Sequence, residues 1–194
     1  TLMEQVISAH PAVASGGELR ALYDAVSGFP GKKEEGVHPP LSRVRGASLT
    51  RARSAYLAAL DGVSTAADRV TDKMPQNFVH LGYVPAILPG ASVVHCRRDP
   101  RDSALSCFFR SFVVGNAFSS DLVWIARYMR AYLRLMRHWT AVLPAACPET
   151  RFVEMDYEAL STDPEPNARR LVEGVGLDWD NACLEPGGSG KMAP

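Results

Sequence analysis

The sequence predicts a three-layer α/β fold in which helices flank a mainly parallel sheet. Two observations lead to this prediction. Short β-branched segments alternate with segments of helical period along the chain, which is the order typical of parallel sheets. Charged and hydroxyl-bearing residues also cluster where predicted strands turn into helices, and sheets of this kind bind ligands at those turns.

Runs of apolar and β-branched residues mark the predicted strands. The clearest run, residues 91–96, follows Pro89 and Gly90 and leads directly into a charged segment. Shorter strands are predicted at residues 12–14, 69–72 and 151–155. We expect these segments to form the sheet.

The strongest helix is predicted at residues 121–143, because apolar side chains recur there at steps of three and four. The apolar stripe consists of Leu122, Ile125, Met129, Tyr132, Met136, Trp139 and Leu143. We assign Trp139, Met129 and Met136 to the core. Shorter helices are predicted at residues 2–7, 19–26, 50–60, 77–84, 104–108 and 163–176. Residues 28–48, rich in Pro and Gly, are predicted to form a loop.

The charge balance argues against a broad basic surface that would cover a polyanion. Lys and Arg together number 21, as do Asp and Glu, so we expect no nucleic-acid partner. A few converging Arg and Lys side chains can still bind a nucleotide. The sequence contains no apolar run of about 18 residues and opens with no signal peptide, which favours a cytoplasmic protein without a membrane partner. The four cysteines are interpreted as reduced thiols.

The segment Arg98-Asp99-Pro100-Arg101, followed by Ser106, is the first candidate site. It begins at the carboxyl end of the best predicted strand, and Ser106 lies about two turns into the next helix. An Arg fork and a hydroxyl can both donate hydrogen bonds to a phosphate. The alternative is a surface Arg–Asp pair that caps the helix. Spacing alone leaves both interpretations open.

This segment resembles the 3′-phosphate-binding motif of sulfotransferases that use 3′-phosphoadenosine 5′-phosphosulfate (PAPS). Further blocks resemble tyrosylprotein and related bacterial sulfotransferases. These blocks are residues 1–18, 72–78 and 156–164. Because the blocks follow the family order, we interpret residues 1–184 as a sulfotransferase catalytic domain with the P-loop-like fold of that family. Residues 185–194, which include Gly187, Gly188 and Gly190, are predicted to be a flexible tail.

The resemblance implies two catalytic residues. Glu18 is the expected general base, which takes the proton of the acceptor hydroxyl if partial burial raises its pKa. Lys73 is expected to stabilise the charge that develops on the leaving phosphosulfate bridge. The alternatives are a Glu that complements a helix dipole and a solvated surface Lys. His10 is a rival base that we interpret as structural, as we do His80 and His95.

The resemblance also implies a set of donor-binding residues. Arg98 and Ser106 would bind the 3′-phosphate, and Arg101 would either support that site or pair with Asp99 or Asp102. Thr1 resembles the last Thr of the phosphosulfate loop, whose earlier residues and preceding strand we expect to be absent from this sequence. Tyr157 would contact the adenine or, alternatively, pack in the core.

The predicted reaction transfers a sulfuryl group from PAPS to an acceptor hydroxyl and releases 3′-phosphoadenosine 5′-phosphate (PAP), with no metal. The acceptor is a protein tyrosine, a sugar or a small molecule, and a homodimer is one candidate oligomeric state. One alternative is a non-catalytic scaffold with the same fold. A P-loop kinase-like phosphotransferase is another alternative. Its phosphate-binding loop is matched only weakly, by the glycine-rich segment 187–191 that ends at Lys191.

Overall fold

A computed structural model of the chain describes residues 2–29, 38–110 and 116–185. The strands are β1 (Val13–Ser15), β2 (Arg69–Thr71), β3 (Ser92–Arg97) and β4 (Arg151–Asp156). The α-helices are α1 (Leu2–Ser8), α2 (Ala21–Ser27), α3 (Gly46–Asp61), α4 (Val84–Ile87), α5 (Pro100–Phe109), α6 (Leu122–Ala146), α7 (Tyr157–Thr162) and α8 (Pro164–Gly174). Short 3₁₀ helices occupy Leu41–Arg43, Pro75–Tyr83, Ala117–Ser120 and Asn181–Leu184.

The strands pair in parallel and helices connect them, which confirms the predicted α/β class. β1 pairs with β2 in a register that sets Val13 opposite Arg69. β3 pairs with β4 along its whole length, from Ser92 opposite Arg151 to Arg97 opposite Asp156. Within the described residues the strands form two two-stranded sheets. In each pair, both strands therefore present their carboxyl ends on the same side.

Two apolar cores hold the helices against the strands. The first core lies between α1, β4 and α8 and includes Met3, Val6, Met155, Leu171, Val172 and Cys183. The second lies between α2, α3, α4 and α6 and includes Leu22, Val26, Tyr56, Ile87, Met136 and Leu143. Burial of such side chains is the main driving force for packing these short elements.

Helix α6 confirms the longest predicted helix. Asp121 caps it, because its side chain accepts hydrogen bonds from the backbone N–H groups of Val123 and Trp124. Met136 is buried, and the Trp139 indole N–H donates to the carbonyl of Phe78 at 2.8 Å. The first residue of the stripe, Leu122, is 53% exposed, because it lies at the helix start beyond the second core.

Several local predictions needed correction. Residues 77–84 are mostly 3₁₀ helix rather than α-helix. Helix α3 begins at Gly46, inside the predicted loop. Helix α7, which the sequence pattern does not predict, begins at Tyr157 directly after β4 stops at Asp156. Of the predicted tail 185–194, only Glu185 lies within the described residues.

Candidate functional site

The turn after β1 depends on two glycines. The Gly16 N–H donates to the Thr71 carbonyl at 3.1 Å, and a Cβ at Gly16 would lie only 2.3 Å from that oxygen. Gly17 has φ of +62°, a conformation that glycine adopts without steric cost. The pair therefore lets the chain run tightly along β2 and then turn, with Glu18 as the next residue.

Glu18 and Lys73 meet at the carboxyl ends of β1 and β2. The Lys73 ammonium donates to Glu18 Oε1 at 2.5 Å, although the two residues are 55 positions apart. Their backbones are also joined, because the Lys73 N–H donates to the Gly17 carbonyl at 2.7 Å. The structure thus brings together the two residues predicted to be catalytic.

The two side chains differ in exposure. Lys73 is 27% exposed, whereas the Glu18 side chain is 57% exposed and carries its carboxylate at the surface. The described residues therefore do not supply the partial burial that we expected around the proposed base.

A second group of charges lies at the carboxyl ends of β3 and β4. Arg97 binds Asp156 through two hydrogen bonds of 2.8 and 2.9 Å, directly across the strand pair. Arg101 binds both carboxylate oxygens of Asp99, and its backbone N–H donates to Asp99 Oδ1 as a helix cap. These hydrogen bonds from Arg101 hold the pKa of Asp99 well below its usual range. The structural alternative for Arg101 is therefore the observed one.

Arg98 differs from both neighbouring arginines. Its guanidinium lies over the Tyr157 ring, 5.0 Å from the centroid, and makes no ion pair within the described part of the chain. A stacked guanidinium retains its N–H donors at the ring edge for a further acceptor. Ser106 lies on α5, where it is exposed and has no side-chain hydrogen bond to any residue in the described ranges. Both side chains predicted to bind phosphate are therefore available to a ligand.

The histidines fill structural roles. His10 Nδ1 accepts the Ala12 N–H, so Nε2 carries the proton and donates to the Asp178 carbonyl at 3.1 Å. His95 contacts Glu154 through Nδ1 and the Tyr132 hydroxyl through Nε2, at 3.0 and 2.7 Å. Both ring nitrogens of His10 are thus engaged, and the rival base has no free basic nitrogen.

His80 is buried among rings. Its imidazole lies 4.8 Å from that of His38 and 5.9 Å from the Tyr23 ring, measured between centroids. Burial, together with the nearby His38, lowers the pKa of His80 to about 4. The neutral imidazole is therefore the folded form near neutrality.

Sequence reasoning missed two carboxylates next to Glu18 and Lys73. Glu4 accepts hydrogen bonds from Gly17 and Thr71, and Asp72 accepts one from Met74. Glu4 lies in α1, whose sequence signal is its apolar face. Asp72 belongs to the block 72–78, and no spacing rule connects it to Glu18.

One predicted site residue falls outside these observations. Thr1 lies outside the described residues, so its role in a phosphosulfate loop stays a prediction.

Two further features are absent from the described residues. Across residues 2–29, 38–110 and 116–185, no group of three or more His, Cys, Asp or Glu is arranged to hold a metal ion. No helix within these ranges is both long and apolar enough to cross a bilayer.

Comparison with known proteins identifies the family. The model of the sulfotransferase family matches residues 1–181, and the chain therefore belongs to the sulfotransferase family. It is 28% identical over 194 residues to an uncharacterized protein of Aquifex aeolicus (strain VF5), covering 95% of this chain and 25% of that protein. It is 23% identical over 194 residues to protein-tyrosine sulfotransferase A of Caenorhabditis elegans, covering 95% of this chain and 48% of that protein. The chain thus spans a quarter of one relative and about half of the other.

Proposed function

We propose that this chain transfers a sulfuryl group from PAPS to the hydroxyl of an acceptor. The observation that carries the proposal is the 2.5 Å contact between Lys73 and Glu18, which places an acid–base group and a cation at one strand edge. A scaffold without activity would gain little from this pair, because an ion pair with a half-exposed partner contributes at most about 1 kcal/mol to stability.

Glu18 acts as the general base in this proposal. Its Oε1 is bound to Lys73, whereas Oε2 has no hydrogen-bond partner among the residues described. Oε2 can therefore accept the proton of the acceptor hydroxyl as the oxygen attacks sulfur. The exposed position of Glu18 leaves space for an acceptor, and the bound acceptor supplies the desolvation that the protein lacks at this point.

Lys73 stabilises the leaving group. An ammonium has three N–H donors, so Lys73 can keep one bond to Glu18 and give another to the bridging oxygen of the donor. That oxygen gains negative charge as its bond to sulfur breaks, and a positioned cation favours the charged state. Proton removal and leaving-group stabilisation thus occur at one connected pair.

Arg98 and Ser106 bind the 3′-phosphate of the donor. The support for this is the guanidinium of Arg98, which makes no ion pair with a described residue, whereas Arg97 and Arg101 are bound to carboxylates. In this proposal the Tyr157 ring holds the Arg98 guanidinium in place, and contact with the adenine is not its only role. Thr1 remains a proposed ligand of the 5′-phosphosulfate.

The acceptor is a protein tyrosine, a sugar or a small molecule. The name of the Caenorhabditis elegans relative favours a tyrosine hydroxyl among these three classes. A cytoplasmic location and a homodimer are part of the same proposal.

Calorimetric titration of the full-length gene product with PAP tests the donor assignment. Arg98→Ala should weaken binding by about tenfold or more, because a charge-assisted hydrogen bond contributes about 1.5–3 kcal/mol. Arg101→Ala is the matched control and should bind as the wild type does, since Arg101 is already bound to Asp99.

Transfer of radiolabelled sulfate from PAPS to a mixture of tyrosine peptides, sugars and phenols tests the reaction. Glu18→Gln should lower the turnover rate at least about 100-fold with PAP affinity retained. The control is Glu149→Gln, an exposed carboxyl without a contact to the site. Absence of PAP binding in the wild type would overturn the proposal in favour of a non-catalytic scaffold.

A further inference from the structure

The carboxylate of Glu4 connects three parts of the site. Its Oε1 accepts hydrogen bonds from Ser15 Oγ at 3.0 Å, from the Gly17 N–H at 3.0 Å and from Thr71 Oγ1 at 3.1 Å. Ser15 ends β1, Gly17 lies in the turn, and Thr71 ends β2. One oxygen on α1 therefore fixes the carboxyl ends of both strands relative to each other.

The carboxylate of Asp72, which directly precedes Lys73, also accepts hydrogen bonds. Its Oδ1 accepts from the Met74 N–H at 3.1 Å, and its Oδ2 accepts from the Tyr56 hydroxyl at 2.9 Å. The Asn77 side chain and the backbone of Leu19 also lie near this carboxylate and favour its ionised form. Burial raises the pKa of Asp72, and these four groups oppose that rise by stabilising the ionised form.

These groups bracket the proposed catalytic residues in sequence. Gly17, which precedes Glu18, binds Glu4, and the backbone of Leu19, which follows Glu18, lies near the Asp72 carboxylate and favours its ionised form. On the other strand, Thr71 binds Glu4, and Met74 binds Asp72. Thus each of the two segments is held on both sides of its catalytic residue.

These contacts explain how the exposed Glu18–Lys73 ion pair can keep a fixed geometry. Glu18 is mostly exposed, and an ion pair of this kind would not by itself keep two flexible side chains in one geometry. Fixing the backbone on both sides of each residue reduces the conformational freedom that the pair would otherwise have to restrict.

We propose that Glu4 and Asp72 are positioning residues that hold Glu18 and Lys73 in their reactive geometry. Neither carboxylate contacts the reacting atoms, and each acts through the backbone of its neighbours. The inference rests on the proposed sulfuryl transfer for its catalytic meaning, whereas the positioning of the ion pair is a structural statement that can be tested without activity.

The first experiment measures the rate at which an amine-acylating reagent modifies Lys73, followed by mass spectrometry of the full-length protein. Glu18→Gln defines the rate of a Lys73 without its carboxylate. Glu4→Ala and Asp72→Asn should raise the wild-type rate toward that limit, by about two- to fivefold. Glu149→Ala is the matched control and should leave the rate unchanged.

If Glu4→Ala or Asp72→Asn fails to fold, two milder variants still test the proposal. Glu4→Gln retains an oxygen acceptor and should keep most of the wild-type protection. Tyr56→Phe removes a single donor to Asp72 and should raise the labelling rate by less than Asp72→Asn does.

The second experiment measures sulfuryl transfer. In Glu4→Ala the turnover rate should fall about 10- to 100-fold while KM for the donor changes little, and Glu4→Gln should restore most of the rate. Folded variants with wild-type Lys73 labelling would overturn the positioning role. A labelling change without any transfer by the wild type would support the positioning role and overturn the proposed function instead.

Discussion

The guanidinium carbon of Arg98 lies 5.0 Å from the centroid of the Tyr157 ring. This relationship follows from the strand register. Arg97 and Asp156 are paired across β3 and β4, so the residues that follow them, Arg98 and Tyr157, leave the two strands side by side. Arg97 and Asp156 neutralise each other at the strand ends, whereas the stacked Arg98 makes no ion pair with any residue in the described ranges.

Replacing Tyr157 should weaken PAP binding by a small factor. Tyr157→Leu removes the ring beneath Arg98, and an exposed cation–π contact contributes about 0.5–1 kcal/mol, so affinity should fall about two- to fivefold. Tyr157→Phe is the control, because it keeps the ring and should bind PAP nearly as the wild type does. Calorimetry distinguishes the two, and an equal loss in both variants would contradict a role for the ring face.

Gly16→Ala should destabilise the protein and the site together. The new methyl group would lie 2.3 Å from the Thr71 carbonyl oxygen, so β1 and β2 must separate at that point. We expect the free energy of unfolding to fall by about 1–3 kcal/mol in urea titrations. Gly46→Ala introduces the same group into open space at the start of α3 and should cause no loss. Equal stability of the two variants would show that the close approach has no energetic consequence.

The stability contributed by His80 should depend on pH. Its folded pKa of about 4 lies below the usual 6.5, so the unfolded chain binds more protons between these values. This contribution is complete above pH 6.5 and is lost as the pH falls toward 4. Between pH 7 and 4.5, wild type should lose about 2 kcal/mol more than His80→Leu does. Parallel curves of stability against pH for the two proteins would contradict the lowered pKa.

Asp121→Ala should weaken the start of α6. The Asp121 carboxylate accepts from the N–H groups of Val123 and Trp124 at 2.7 and 3.0 Å, and loss of such a cap costs about 1 kcal/mol. Asp163 occupies the same position before α8 but makes no side-chain cap bond, so Asp163→Ala should cost less. Thermal unfolding of the two variants measures the difference, and a larger loss for Asp163→Ala would reverse the expectation.

The regular elements were predictable because their signals are local. The β-branched run that forms β3 and the apolar period of α6 each lie within one segment, and both elements are confirmed. Helix α7 was missed because its six residues are too short to show a helical period.

The candidate site was only partly predictable. Motif blocks pointed to Glu18, Lys73 and Arg98, but no sequence pattern indicates which carboxylate binds which arginine. Arg97 and Arg101 became paired through strand register and helix capping, which are properties of the folded chain. The contacts of Glu4 with Thr71 span 67 positions and depend on tertiary packing, so they carry no local signature.

The parallel pairing of β1 with β2 also has a consequence for the order of assembly. Glu18 and Lys73 are 55 positions apart, with α2 and α3 between them. A contact of such long range requires closure of the intervening chain, and closure of this kind is slow compared with helix formation. During synthesis from the amino terminus, the Glu18–Lys73 ion pair cannot exist until Lys73 has emerged from the ribosome. Helix α2 can form before this ion pair, whereas the pairing of β3 with β4 has to wait for residues 151–156.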